Sequence, residues 1–258
     1  MSKLAVPFLL AATFVTHAAW ATDDPFIGTW KLDTARSRLT DQMKVTSLGA
    51  NKYAFDFGGG PELIVADGTD QPGYAGTTLA VTAKGPDAWN VIRKKDGKRM
   101  LSADWQLSKD GKSLTDRYTA FGPDGRGTVV DYLYSRTAGT SGFAGTWEST
   151  DVTLDQSFVI EVQPYDKDGL SFSYPSTGKV KNMKFDGKDS VPSGPSMLDG
   201  TTFSALRPNP DEIDVTDKLK GAMVDTQQLA LSADHKILTM TLHRPGKHSP
   251  DVLVFERQ

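Results

Sequence analysis

One short phrase occurs twice in this chain. Phe26-Ile27-Gly28-Thr29-Trp30 returns as Phe143-Ala144-Gly145-Thr146-Trp147, about 117 residues further on, and the residues downstream of it return in the same order. Met43 and Val45 match Ile160 and Val162, and the alternating Tyr53, Phe55 and Phe57 match Leu170, Phe172 and Tyr174. Asp67-Gly68-Thr69-Asp70 matches Asp186-Gly187-Lys188-Asp189, and Thr77-Thr78-Leu79 matches Thr201-Thr202-Phe203. Leu107-Ser108 with Asp110, Lys112, Leu114 and Thr115 matches Leu231-Ser232 with Asp234, Lys236, Leu238 and Thr239. Tyr134-x-Arg136 matches Phe255-x-Arg257. The offset drifts only between about 117 and 124, and chance matches do not stay collinear, so the chain is a tandem duplication. Each unit has about 115 residues, an ordinary domain size. The expected division is a first unit over 22–138, a small polar joint at 139–142 and a second unit over 143–258, each folding by itself.

Inside a unit the apolar period is two. Tyr53, Phe55 and Phe57 alternate with Ala54 and Asp56, and Leu238, Met240 and Leu242 alternate with Thr239 and Thr241. Such alternation puts one set of side chains on one face of a strand. Turn signals separate the runs, as in Asp96-Gly97, Asp110-Gly111, Pro123-Asp124-Gly125 and Asp168-Gly169. Residues 34–39 could make one short helical turn, and nothing else reads as a helix. The fold expected is all-β: two tandem antiparallel up-and-down β-barrels of about eight or nine strands each, because closure removes unpaired sheet edges. A two-sheet sandwich is the alternative.

Composition narrows the chemistry. The 258 residues carry a formal net charge of −3, no Cys and only four His. The near-neutral balance lacks the basic footprint of a nucleic-acid binder. Without Cys there are no disulfides, thiol nucleophiles, thiolate zinc sites or iron–sulfur clusters. Residues 1–21 read as an export signal: Lys3 precedes an uncharged, mostly apolar run from Leu4 to Thr16, and the A-x-A cleavage pattern Ala19-Trp20-Ala21 follows. That run is shorter than the ~20 residues needed to span a bilayer. A periplasmic or secreted bacterial protein cleaved near Ala21 is therefore expected, with no transmembrane segment in the mature chain.

The G-x-W near the start of the first strand, with an Arg near the end of the last, resembles the lipocalin-like (calycin) barrels. In detail, Gly28-Thr29-Trp30-Lys31-Leu32-Asp33 and the Asp-Gly-Lys phrases are similar to a group of bacterial secreted proteins with such barrels, themselves largely uncharacterised. The resemblance implies that Trp closes one end of each barrel with the late Arg over its ring. It pairs Trp30 with Arg136 and Trp147 with Arg257. A guanidinium over an indole is a cation–π contact of ~0.5–2 kcal/mol. Ala66-Asp67-Gly68-Thr69-Asp70 and Asp234-His235-Lys236 are variants of the repeated phrases.

No catalytic constellation stands out. His235, His243 and His248 all fall in the second unit. His243 and His248 flank Arg244-Pro245-Gly246-Lys247, but no third metal ligand is dictated by spacing, so no metal and no cofactor are expected. There is no G-x-S-x-G, and Ser193-Gly194-Pro195-Ser196 reads as an ordinary loop. Gly58-Gly59-Gly60 leads into a strand rather than a helix, so it reads as a turn and not a phosphate cradle. Asp70 and Asp189 are polar candidates, against a reading in which these Asp-Gly phrases are simple turns. The candidate ligand-lining aromatics are Tyr53, Phe55, Phe57, Trp89, Trp105, Tyr118, Phe172, Tyr174 and Phe203. Inward residues of a small barrel either fill it or line a cavity. Three readings remain. The first is an exported, non-enzymatic binder of a small apolar or lipid-like ligand in one or both barrels. The second is an envelope interaction module with filled barrels. The third is an enzyme of unrecognised type. Binding is favoured over catalysis.

Overall fold

The computed structural model describes residues 24–258 except 59, 123, 124, 126, 155–157, 196 and 248. The expected export signal, His248, Ser196, Gly59 and the start of the Pro123-Asp124-Gly125 turn lie outside the described residues. Among the described residues the period of two becomes nineteen strands. The first ten are β1 (Gly28–Arg38), β2 (Gln42–Gly49), β3 (Lys52–Asp56), β4 (Glu62–Val65), β5 (Gln71–Pro72), β6 (Thr78–Ala83), β7 (Ala88–Lys95), β8 (Lys98–Leu107), β9 (Ser113–Phe121) and β10 (Gly127–Ser141). The other nine are β11 (Ala144–Leu154), β12 (Val159–Tyr165), β13 (Gly169–Tyr174), β14 (Lys179–Met183), β15 (Thr201–Asn209), β16 (Glu212–Leu219), β17 (Ala222–Leu231), β18 (Ile237–His243) and β19 (Asp251–Arg257). Residues 34–38 are strand rather than the expected helical turn, and the single helical element among the described residues is a short 3-10 turn at Tyr74–Gly76. Among the described residues no helix is long and apolar enough to cross a membrane.

The strands form two nearly closed antiparallel barrels. One sheet runs β4-β3-β2-β11-β10-β9-β8-β7-β6-β5, the other β14-β13-β12-β1-β19-β18-β17-β16-β15. A bridge between Asp67 and Thr82 draws the two ends of the first sheet together, and bridges Val180–Ser193 and Ser190–Phe203 do so in the second. Two separate apolar cores result, one centred on Phe55, Trp89, Trp105 and Trp147, the other on Trp30, Phe172, Phe203 and Phe255.

The barrels do not follow the expected division of the chain. β1, from the first unit, pairs with β12 and β19 of the second, and β11, from the second unit, pairs with β10 and β2 of the first. The two repeats have exchanged their first strands. Barrel 1 is therefore the unbroken run β2–β11, inserted into barrel 2 between β1 and β12. The expected joint at 139–142 is instead the tip of the β10–β11 hairpin, with Ser141 paired to Ala144. A hairpin closes a short loop, whereas pairing β10 with β1 would close one of about a hundred residues, and loop entropy grows with length.

The exchange re-pairs the clasps. Arg257 lies over Trp30 at 4.2 Å and Arg136 over Trp147 at 4.1 Å, not the pairing that chain order suggested. Each Arg also gathers three backbone carbonyls: Ile27, Pro25 and His235 for Arg257, and Gly111, Ala144 and Gly142 for Arg136. The glycine of each G-x-W makes room for this. A Cβ on Gly28 would stand 2.9 Å from Arg257 Nη1, and one on Gly145 2.7 Å from Arg136 Nη1. The two G-T-W strands carry the same phrase, and each supplies the Trp of the clasp in the barrel it completes.

Candidate functional site

Barrel 1 holds a partly open cavity of about 260 Å³. Its wall is built by strand parity. On β9, Leu114, Asp116 and Tyr118 share the inward face; Asp116 stands opposite Trp105 of β8 and opposite Tyr132 of β10. Met43, Phe57, Leu79, Val91, Leu101 and Ala103 supply apolar lining, with Arg93, Asp41, Tyr118 and Tyr134 as the further polar members. Mostly apolar walls with a few convergent polar groups are what small-molecule sites have in common. The volume lies just below the ~300 Å³ at which drug-sized sites begin, which suits one ring and a short chain.

Three of the polar groups are well supplied. Arg93 makes a two-pronged pair with Glu62 at 2.6 and 2.8 Å and donates to Thr77 Oγ1 at 2.8 Å. Tyr134 donates to Asp41 Oδ2 at 2.6 Å. Asp41 belongs to the crossover from β1 to β2, and its neighbour Thr40 is held by the fully buried Asp251 of barrel 2 through its N–H at 2.7 Å and its hydroxyl at 2.8 Å. Burial raises the Asp41 pKa, against the Tyr134 hydrogen bond and the cations Lys247 and Arg244.

Asp116 is different. It is 6% exposed, and its Oδ1 has no hydrogen-bond partner among the described residues; nor has the indole N–H of Trp105. Burial pushes the Asp116 carboxyl up to about 7; the nearby indole opposes the rise, and Asp41, Asp104 and Asp131 add to it. An unsatisfied buried polar group costs roughly 1–3 kcal/mol.

The duplication supplies an internal control. At the offset of the flanking repeats, Asp116 corresponds to Met240, Trp105 to Leu229, Ala103 to Gln227 and Leu79 to Phe203. The barrel thus folds with an apolar residue where barrel 1 holds its carboxylate. Larger side chains stand in barrel 2 where Leu79 and Ala103 leave room in barrel 1. The buried ion pair is kept but reversed: Glu62–Arg93 corresponds to Lys181–Asp217, joined at 2.6 Å. Lys181 is 1% exposed and 5.4 Å from the Phe203 ring centroid. Asp217 also accepts from Gln227 at 2.7 Å, and its Oδ1 is left without a partner among the described residues. Next to this pair, burial lowers Lys179 to about 8, assisted by the Lys181 charge.

Of the sequence candidates, Phe57, Trp105 and Tyr118 line the cavity. Tyr53, Phe55 and Trp89 form the aromatic cluster beside it, with Tyr53–Trp89 ring centroids 4.8 Å apart and Phe55–Trp105 6.1 Å. Phe172, Tyr174 and Phe203 sit in the separate core of barrel 2. Asp70 and Asp189 stay on the surface, paired at 2.7 Å with Lys94 and Lys218. His243 is exposed, and His235 faces Asp211 at 3.0 Å. Among the described residues no three His, Asp or Glu are grouped to hold a metal. Asp41, Arg93, Asp116, Tyr132 and Tyr134 were not singled out from sequence. Inward parity with Leu114 and Tyr118 marks Asp116, and the match to Met240 marks it as unusual. Compared with known proteins, the chain matches no family model and no curated protein.

Proposed function

We propose that this is an exported lipocalin-like binding protein that holds one small, apolar-bodied molecule inside barrel 1, without catalysis. The observation that carries the reading is the 260 Å³ cavity with an aromatic and aliphatic wall and few polar groups. Export rests on the pattern of residues 1–21. The G-x-W and Arg clasps, present in both barrels, support the lipocalin-like assignment. Barrel 2 serves as scaffold: where Leu79, Ala103 and Asp116 line the cavity of barrel 1, its equivalent positions carry Phe203, Gln227 and Met240.

Native mass spectrometry of the full chain, isolated from its own envelope, tests this. A bound mass of a few hundred daltons at most is expected. It should vanish when Ala103→Phe fills the cavity while the clasps and barrel 2 stay intact. Ligand-free protein in repeated preparations, together with failure of small aromatic probes to bind, would sink the reading.

A further inference from the structure

We propose that the cavity of barrel 1 selects a small organic ammonium ion, its N–H groups donated to Asp116 Oδ1 and its hydrocarbon body lying among the tyrosine rings. This rests on the binding reading above and adds the chemical class of the ligand. Asp116 is nine-tenths buried, lines the cavity and keeps an oxygen without a partner among the described residues. The fold does not call for it, because the same position in the other barrel is Met240. A carboxylate kept where an apolar residue serves the fold points to a ligand.

Charge decides which ligand. Arg93 on β7 is taken up by Glu62, and Arg244 and Lys247, near Asp41 on the crossover, are both held on Asp251. Asp104 on β8 and Asp131 on β10, the latter paired with Arg117 at 3.0 Å, act on Asp116 through the sheet. Asp41 has the Tyr134 hydroxyl on one oxygen, whereas among the described residues Asp116 is the cavity carboxylate with neither an ion-pair partner nor a donor on its Oδ1. A carboxylate ligand such as a fatty acid would meet like charge, whereas an ammonium supplies both the missing charge and the missing donor. Tyr118 and Tyr132 meet edge to face at 6.4 Å beside it, and ring faces attract cations.

Titration calorimetry of the full chain at pH 8 with three probes of one size tests this: 2-phenylethylammonium, 2-phenylethanol and 3-phenylpropanoate. The ammonium should bind about tenfold or more tighter than the alcohol, since charge-assisted hydrogen bonds are roughly twice as strong as neutral ones. The carboxylate should bind weakest. Asp116→Asn should erase the preference for the ammonium, and Asp116→Met, which installs the residue of barrel 2, should do the same in a protein at least as stable. At pH 5 the ammonium should lose affinity and the alcohol should not. Equal affinities for ammonium and alcohol, or a preference that survives Asp116→Met, overturn the ammonium assignment and leave the cavity reading standing. Binding of none of the probes overturns both.

Discussion

The two barrels share one plan and differ in what they bury. Both have a Trp–Arg clasp, a G-x-W glycine under the guanidinium, and an interior ion pair between equivalent strands. In barrel 1 the pair is well supplied: a bidentate Arg93, the Thr77 hydroxyl, and the Tyr74 N–H on Glu62 at 2.5 Å. In barrel 2 a single lysine at 1% exposure faces Asp217, one of whose oxygens is orphaned among the described residues. Barrel 1 keeps open space with Asp116 on its wall; barrel 2 has Met240, Gln227 and Phe203 at the matching places. One scaffold accommodates both interiors, so folding alone does not require the differences.

The largest test concerns which residues make a barrel at all. Residues 39–158 contain every strand of barrel 1 and should give a cooperative melt by circular dichroism. Residues 22–138 carry β1, which belongs to the other barrel, and lack β11, which completes this one. They should remain largely unfolded, because an open sheet exposes both an edge and the core face that Trp147 covers. A cooperative melt for 22–138 would break the exchanged-strand topology.

Next come the ion pairs. Lys181→Met leaves the buried Asp217 without its ion-pair partner, a loss of about 3–5 kcal/mol in urea unfolding. The double variant Lys181→Glu, Asp217→Arg copies the polarity of barrel 1 and should recover most of that loss. If the single variant costs less than about 1 kcal/mol, the pair is not desolvated as its position implies.

The two tandem barrels, the all-β class and the clasp residues were legible because they are written as recurring phrases and period-two runs. The exchange was not. β1 and β11 carry the same G-T-W phrase, so periodicity cannot say which barrel each completes; the short β10–β11 turn decides it. The aromatic half of the site was legible at Phe57, Trp105 and Tyr118. Its polar half was hidden because Asp116 sits in Thr115-Asp116-Arg117, which reads as an exposed polar stretch until strand parity is assigned. Glu62 and Arg93 were masked in the same way, by sequence neighbours that face solvent.

A pH profile sharpens the comparison at Asp116. Its native pKa of about 7 lies above the unperturbed 3.8, so the folded state holds this proton more tightly than the unfolded chain. Its contribution to stability is therefore full below about pH 4 and lost as pH rises to about 7, by at most about 1.4 kcal/mol per unit. Urea midpoints at pH 5 and pH 8 should show that fall in the native protein and a smaller one in Asp116→Asn. An unchanged slope would mean that Asp116 is not the buried acid responsible.

The smallest effect is expected where the two repeats are most alike. Asp70–Lys94 and Asp189–Lys218 are equivalent surface pairs, each 2.7 Å long, with side chains between 29% and 44% exposed. Solvent screens them, and exposed pairs contribute only ~0.2–1 kcal/mol. Asp70→Asn and Asp189→Asn should therefore shift the urea midpoint slightly and by similar amounts. Neither should change probe binding, since both carboxylates stand on the outer surface and outside the cavity lining. A clear loss of binding in Asp70→Asn alone would relocate the site from the interior of barrel 1 to its Asp-Gly loop. It would also turn a place where the barrels agree into one where they differ.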